Sequence, residues 1–102
     1  MDPILRTLTA TEGYAYWCPG CKSSHWIPVP RWTFNGSMER PTFSPSVRHY
    51  IPAGQHGPER TFCHYFIRDG KIEYCGDCEH ELAGKTVDMV PGPSNEEYGW
   101  PE

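Results

Sequence analysis

The clearest β-hairpin in the chain lies at residues 63–75, which read Cys63-His64-Tyr65-Phe66-Ile67-Arg68-Asp69-Gly70-Lys71-Ile72-Glu73-Tyr74-Cys75. The step Asp69-Gly70 is typical of a two-residue type I′ turn, because both of its central positions need a positive φ. A turn of this length sets the register, so that Ile67 faces Ile72 across the two strands. The stretch therefore predicts an antiparallel hairpin with one apolar face.

The same register separates two neighbouring residues of the first strand. Successive side chains of a strand point to opposite faces, so Cys63 lies beside the tyrosines while His64 faces Cys75 on the other side. We therefore expect that Cys63 and His64 do not bind the same metal ion unless a bulge intervenes.

Two cysteine pairs share the Cys-x-x-Cys spacing, Cys18 with Cys21 and Cys75 with Cys78. Runs of β-forming residues at 14–17 and 25–29 flank the first pair, which predicts a hairpin closed by a metal-binding knuckle. Zinc favours thiolate and imidazole ligands in a tetrahedral shell. The pattern predicts a zinc site.

The predicted ligand set is Cys18, Cys21, Cys78 and His80. Four other residues are alternative ligands: Cys75, Cys63, His64 and His25. The fourth zinc position stays open between His80, Cys75 and water. A shell of four protein ligands is typical of structural zinc, whereas a water in the fourth position is typical of catalytic zinc.

Composition favours a small, mainly β protein. The chain has 102 residues, of which 10 are glycine and 11 proline, a composition that favours turns over long helices. We expect a single domain of antiparallel hairpins over residues 1–90, stapled by zinc in a zinc-ribbon-like knuckle, and a polar tail over 91–102. One short helical turn is predicted near 78–83, with Asp77 as its N-cap.

Charge and hydropathy exclude several partners. The net charge is −4, and the nine Lys and Arg residues form no run, so nucleic-acid binding through phosphates is not indicated. No apolar stretch has the length of a membrane span or resembles a secretion signal. We expect a cytoplasmic protein, in the host cytoplasm if a phage encodes it, whose five cysteines serve as ligands or free thiols.

An ordered series of motifs resembles a family of small uncharacterised phage and bacterial zinc-binding proteins. The series comprises Cys18-Pro19-Gly20-Cys21, His25-Trp26-Ile27-Pro28, Phe34-Asn35-Gly36, Arg40-Pro41-Thr42-Phe43-Ser44-Pro45-Ser46, Cys63-His64, Asp69-Gly70-Lys71-Ile72 and Asp77-Cys78-Glu79-His80-Glu81-Leu82-Ala83-Gly84-Lys85-Thr86-Val87. Some members are labelled ammonia monooxygenase, a label that nothing in this sequence supports. The resemblance favours His80 over Cys75 as a ligand, and it associates bacterial relatives with ubiquitin-like conjugation.

Two functions follow as hypotheses. The favoured one is a zinc-stabilised accessory protein that binds another protein, such as a host or defence factor, through its loops between residues 36 and 60. The alternative is a zinc-dependent hydrolase in which His64, Asp77 or Glu81 acts as proton shuttle beside an open metal position.

Overall fold

A computed structural model describes residues 4–8, 12–29, 31–55 and 57–92. The mainly β class is confirmed, and the described residues contain no helix. The eight strands are β1 (Arg6–Thr7), β2 (Gly13–Cys18), β3 (Ser23–Pro28), β4 (Thr33–Phe34), β5 (Phe43–Ile51), β6 (Arg60–Arg68), β7 (Lys71–Tyr74) and β8 (Thr86–Asp88). They form two antiparallel sheets, ordered β1-β2-β3 and β4-β5-β6-β7-β8.

The predicted knuckle closes the β2–β3 hairpin. The two strands pair from Gly13 opposite Pro28 to Cys18 opposite Ser23, and the Lys22 amide donates to the Cys18 carbonyl at 2.8 Å. Lys22 has a φ of 56°. This tight turn holds Cys18 and Cys21 on one side of the loop.

The β6–β7 hairpin has the predicted register. Ile67 pairs with Ile72, Tyr65 pairs with Tyr74, and the turn residues Asp69 and Gly70 have φ values of 50° and 76°. These values are those of a type I′ turn.

β5 lies within residues 36–60, where we expected binding loops. Within this stretch, Phe43–Ile51 form one strand of nine residues. Phe43 and Val47 are buried, and β5 pairs with β6 despite register shifts on either side of the segment 47–49. Burial of these two side chains in the core between the sheets overrides the effect of Pro45 on strand formation.

The two sheets enclose one hydrophobic core. Tyr16 and Ile27 contribute from the first sheet, and Tyr65, Ile67 and Ile72 contribute from the second. All five side chains are at most 1% exposed. The second sheet thus has an inner face against the core and an outer face toward solvent.

The helical turn predicted near 78–83 is not a helix. Its backbone groups bond elsewhere: the Glu79 amide donates to Phe62 in β6, and the Gly84 amide donates to Cys75. Only short turns remain, such as the bond from the Ala83 amide to the His80 carbonyl at 3.2 Å. The carboxylate of Asp77, predicted as an N-cap, instead contacts His64.

The structure tests two further expectations only in part. No helix in the described ranges is long and apolar enough to span a bilayer. The predicted tail over 91–102 lies mostly outside the described residues, so the domain boundary at residue 90 stays a prediction.

Candidate active site and metal-binding clusters

One cluster of ligand atoms lies between the knuckle and β6. Cys18, Cys21, His25 and Cys63 each offer one ligand atom, and these atoms lie within 4.8 Å of one another. The sulfurs of Cys18 and Cys63 are 3.9 Å apart, although the residues are 45 positions apart in sequence. The inner face of β6 therefore brings Cys63 to the predicted knuckle.

A second cluster shares Cys63 with the first. It comprises Cys63, Cys78 and His80, and Nε2 of His80 lies 3.4 Å from the Cys63 sulfur. Gly20 allows this approach, since a Cβ at that position would lie 2.3 Å from Cε1 of the His80 ring. The two clusters thus meet at a buried thiol.

The thiols of the first cluster share their protons unequally. Hydrogen bonds from Cys21 and Cys63 hold the pKa of the Cys18 thiol well below its usual range. The same interaction with Cys18 raises the pKa of Cys21 to about 12 and also raises the pKa of Cys63. A bound cation would displace the thiol protons and would itself bind the sulfurs of Cys18, Cys21 and Cys63.

The residues present fit a zinc ion. Zinc–sulfur bonds of about 2.3 Å in a tetrahedral shell place two sulfurs about 3.8 Å apart, close to the observed Cys18–Cys63 separation. Nε2 of His25 is buried without a hydrogen-bond partner in the described structure. A ligand role would satisfy this nitrogen, because a neutral imidazole nitrogen is a good zinc donor.

Buried tyrosines close the cluster on the core side. The Tyr74 hydroxyl lies 3.1 Å from the Cys18 sulfur and accepts a hydrogen bond from the Gly20 amide at 3.3 Å. The hydroxyls of Tyr16 and Tyr65 bond to each other, and Nε2 of His49 lies 2.9 Å from the Tyr65 hydroxyl. These contacts tie both sheets to the knuckle.

A different site lies on the outer face of the second sheet. Nε2 of His64 is 3.2 Å from Oγ of Ser46, and Nδ1 of His64 is 3.2 and 3.3 Å from the two carboxylate oxygens of Asp77. The three side chains are thus arranged in the order hydroxyl, imidazole, carboxylate. This is the arrangement of a serine nucleophile, its general base and the acid that orients the base.

Strand pairing positions Ser46 beside His64. His64 in β6 lies opposite Arg48 in β5, so Ser46 is two residues along the neighbouring strand on the same face. The indole of Trp32 donates to the Ser46 carbonyl at 3.3 Å, which holds the backbone at Ser46.

Residues 75–78 hold the backbone at His64. The Cys75 amide donates to the His64 carbonyl at 2.8 Å. The Cys78 sulfur accepts from the His64 amide at 3.2 Å and donates to the His64 carbonyl at 3.1 Å. The same loop presents Asp77, so the carboxylate beside the imidazole and the groups that hold the His64 backbone come from one segment.

The predicted site residues therefore separate into two groups. The first group faces the core and comprises Cys18, Cys21, His25, Cys63, Cys78 and His80. His64, Cys75 and Asp77 lie together on the outer face. Glu81 is exposed, and in the described part of the chain no hydrogen bond or ion pair joins it to His64 or Asp77.

Ser46 is the residue that sequence reasoning missed. It stands in Phe43-Ser44-Pro45-Ser46, which lacks the glycine-flanked turn that marks the nucleophile of α/β-hydrolases. The segment belongs to the motif series that resembles a known family, but nothing local distinguishes Ser46 from Ser44. Only its distance from His64 identifies it.

Comparison with known proteins agrees with this outer site. No curated protein and no solved structure matches the chain. A family model described as "Bacterial ubiquitination-like system serine protease (BubE)" matches residues 4–75, a span that contains Ser46 and His64 and ends two residues before Asp77. Because this match covers most of the 102 residues, the chain belongs to the family of bacterial ubiquitination-like system serine proteases (BubE).

Proposed function

We propose that this protein is a serine protease that cleaves a protein substrate of a bacterial ubiquitination-like system. The observation that carries the proposal is the contact chain Ser46–His64–Asp77, with distances of 3.2 Å at both links. The family description names serine protease chemistry and a ubiquitination-like system, which supports a protein substrate.

The geometry assigns a role to each member. Asp77 accepts a hydrogen bond from Nδ1 of His64, which leaves Nε2 free to accept the Ser46 proton. Ser46 Oγ attacks the scissile carbonyl and forms an acyl-enzyme, while His64 passes the proton to the leaving amine. Water then cleaves the ester by the same route, and the proton returns to Ser46.

Exposure of the site suits a macromolecular substrate. The side chains of His64 and Asp77 are 26% and 52% exposed, on an open sheet face rather than in a deep pocket. An extended polypeptide segment can reach such a surface, whereas a small molecule would leave most of its own surface in water. The outer site therefore favours a protein substrate.

Zinc has a separate, structural role in this proposal. Cys18, Cys21, Cys63 and His25 would hold the ion, and His80 of the second cluster, 3.4 Å from the Cys63 sulfur, is the alternative to His25. His64 points away from this cluster, because it follows Cys63 in a strand whose successive side chains alternate. Proton transfer at Ser46 therefore needs no metal-bound water.

The test uses the purified full chain and a ubiquitin-like protein of the same system that carries a C-terminal extension. We expect Ser46→Ala to lower the cleavage rate by about 10⁴-fold or more and to abolish labelling by a fluorophosphonate, because the nucleophile is lost. Cleavage is followed by mass spectrometry of the released fragment.

Ser44→Ala is the matched control. Ser44 is an exposed serine two residues away on the same strand. We expect its replacement to preserve both the cleavage rate and the labelling by a fluorophosphonate. Wild-type cleavage rates in Ser46→Ala would overturn the proposal and return the accessory-protein hypothesis to first place.

A further inference from the structure

We propose that His64, Cys75 and Asp77 form a second zinc site on the outer face, and that zinc bound there reversibly switches off the protease. One ring nitrogen of His64, the Cys75 sulfur and one Asp77 oxygen lie within 4.8 Å of one another. Neither buried cluster contains any of these three residues. The inhibitory part of the proposal rests on the proposed function, whereas the binding part does not.

The donor set selects the class of metal. One imidazole nitrogen, one sulfur and one carboxylate oxygen suit Zn²⁺, while Mg²⁺ and Ca²⁺ prefer oxygen ligands alone. Three protein ligands leave the fourth position to water, and the surface is open enough to supply it, since Asp77 is half exposed. The site should therefore load from solution without unfolding.

Cys75 is placed to serve this site and no other in the described structure. Its amide donates to the His64 carbonyl at 2.8 Å, and its sulfur lies within 4.8 Å of a ring nitrogen of His64. Burial and then the charge of Asp77 raise the pKa of the Cys75 thiol, so without a metal the thiol keeps its proton. Zinc would displace that proton to solvent.

Binding at this site would act through the tautomer of His64. Nδ1 is the nitrogen that faces Asp77, and Nε2 is the nitrogen that faces Ser46. Zinc on Nδ1 displaces the proton there, and a neutral imidazole then carries its one proton on Nε2. A protonated Nε2 cannot accept the Ser46 proton, so the nucleophile is not activated.

The first experiment counts zinc. Wild type and Cys75→Ser are dialysed to equilibrium against buffered Zn²⁺, and metal per folded chain is measured by atomic emission. We expect wild type to bind one more zinc per chain than Cys75→Ser. Glu73→Gln, which removes a carboxylate two residues away in β7, should bind as much as wild type. Cys75→Ala is a second variant should Cys75→Ser fold poorly.

The second experiment measures inhibition of cleavage by added Zn²⁺ and its reversal by a chelator. Measured against its own zinc-free rate, Cys75→Ser should need at least about 10-fold more zinc for half inhibition than wild type does. Equal zinc counts in wild type and Cys75→Ser would overturn the site. If zinc binds in a Cys75-dependent way but cleavage is unchanged, the inhibitory role is overturned. If no Ser46-dependent cleavage is detected, the proposed function is overturned, but the zinc count still decides whether the second zinc site exists.

Discussion

Two adjacent residues carry two different kinds of chemistry in this protein. Cys63 is fully buried among ligand atoms, and His64 is partly exposed between a hydroxyl and a carboxylate. Strand alternation separates them, because successive side chains point to opposite faces. At the residue scale the Cys-His step is thus the boundary between the metal cluster and the proposed active site.

Asp77 offers a test of the base-orienting role. We expect Asp77→Asn to lower the cleavage rate by about 10²–10⁴-fold, because an amide can favour the imidazole tautomer that cannot accept the Ser46 proton. The free energy of unfolding should change by less than about 1 kcal/mol, since the hydrogen bond between His64 and Asp77 is partly exposed. Steady-state cleavage and urea denaturation measure the two effects.

Glu81→Gln is the control for Asp77→Asn. Both residues were predicted from sequence as proton shuttles, but only Asp77 contacts His64. We expect Glu81→Gln to cleave at the wild-type rate. Equal loss of activity in both variants would contradict the assigned role of Asp77.

At the scale of elements, β6 is the strand on which both sites depend. It pairs with β5, which carries Ser46, and with β7, which leads into the loop bearing Asp77 and Cys78. Its inner face supplies Cys63 to the β2–β3 knuckle. The knuckle in turn reaches the 78–84 turn through the contact of Gly20 with His80.

Gly20→Ala tests this contact between elements. The new Cβ would lie 2.3 Å from the His80 ring, which is held by a hydrogen bond from the Leu82 amide to Nδ1 at 3.2 Å. We expect the free energy of unfolding to fall by about 1–3 kcal/mol because the ring must move. Chemical denaturation of the zinc-loaded protein measures the change.

Gly76→Ala provides the comparison for Gly20→Ala. Apart from its chain neighbours, no atom of the described residues lies within 4 Å of a Cβ built at Gly76, so we expect a change within about 0.5 kcal/mol. If Gly20→Ala were as stable as Gly76→Ala, the close packing of knuckle and turn would not matter for stability.

At the scale of the whole molecule, the buried clusters join the two sheets. Cys18 and Cys21 come from the first sheet and its knuckle, and Cys63 comes from the second sheet. A domain of 102 residues has a modest core, and a structural zinc contributes about 10–16 kcal/mol of apparent binding free energy in small domains. The metal should therefore decide how stably the sheets associate.

Metal removal tests this dependence. We expect a strong chelator, or Cys18→Ser, to lower the free energy of unfolding by about 5 kcal/mol or more, with recovery on zinc addition only in the wild type. Zinc affinity should fall as the pH falls, because Cys21 and Cys63 release their protons on binding. Thermal unfolding monitored by circular dichroism measures the loss.

Cys75→Ser is the matched control for Cys18→Ser, since Cys75 lies outside both buried clusters. We expect it to melt close to the wild type. Protein that is purified without zinc and melts unchanged by a chelator would contradict a structural metal. Comparing zinc content in His25→Ala and His80→Ala then identifies the fourth ligand.

Local sequence alone determined the β2–β3 and β6–β7 hairpins. It also determined part of the residues of the buried metal cluster and part of those of the outer site. The turn chemistry of Asp69-Gly70 set the β6–β7 register, and the alternation of that strand separated Cys63 from His64, as the structure confirms. Cys-x-x-Cys spacing placed Cys18 and Cys21 in one loop. These features depend on contacts between residues close in sequence, which is why they could be predicted.

Tertiary structure alone decided the partners of those residues. Ser46 meets His64 only because β5 pairs with β6 across a connection with no fixed register, and Cys63 meets Cys18 only because the two sheets pack face to face. Residues 78–84 form short hydrogen-bonded turns instead of a helix, because the Gly84 amide donates to the Cys75 carbonyl and not to the carbonyl of His80 one turn earlier. Contacts between distant segments follow from global packing, and no local pattern encodes them.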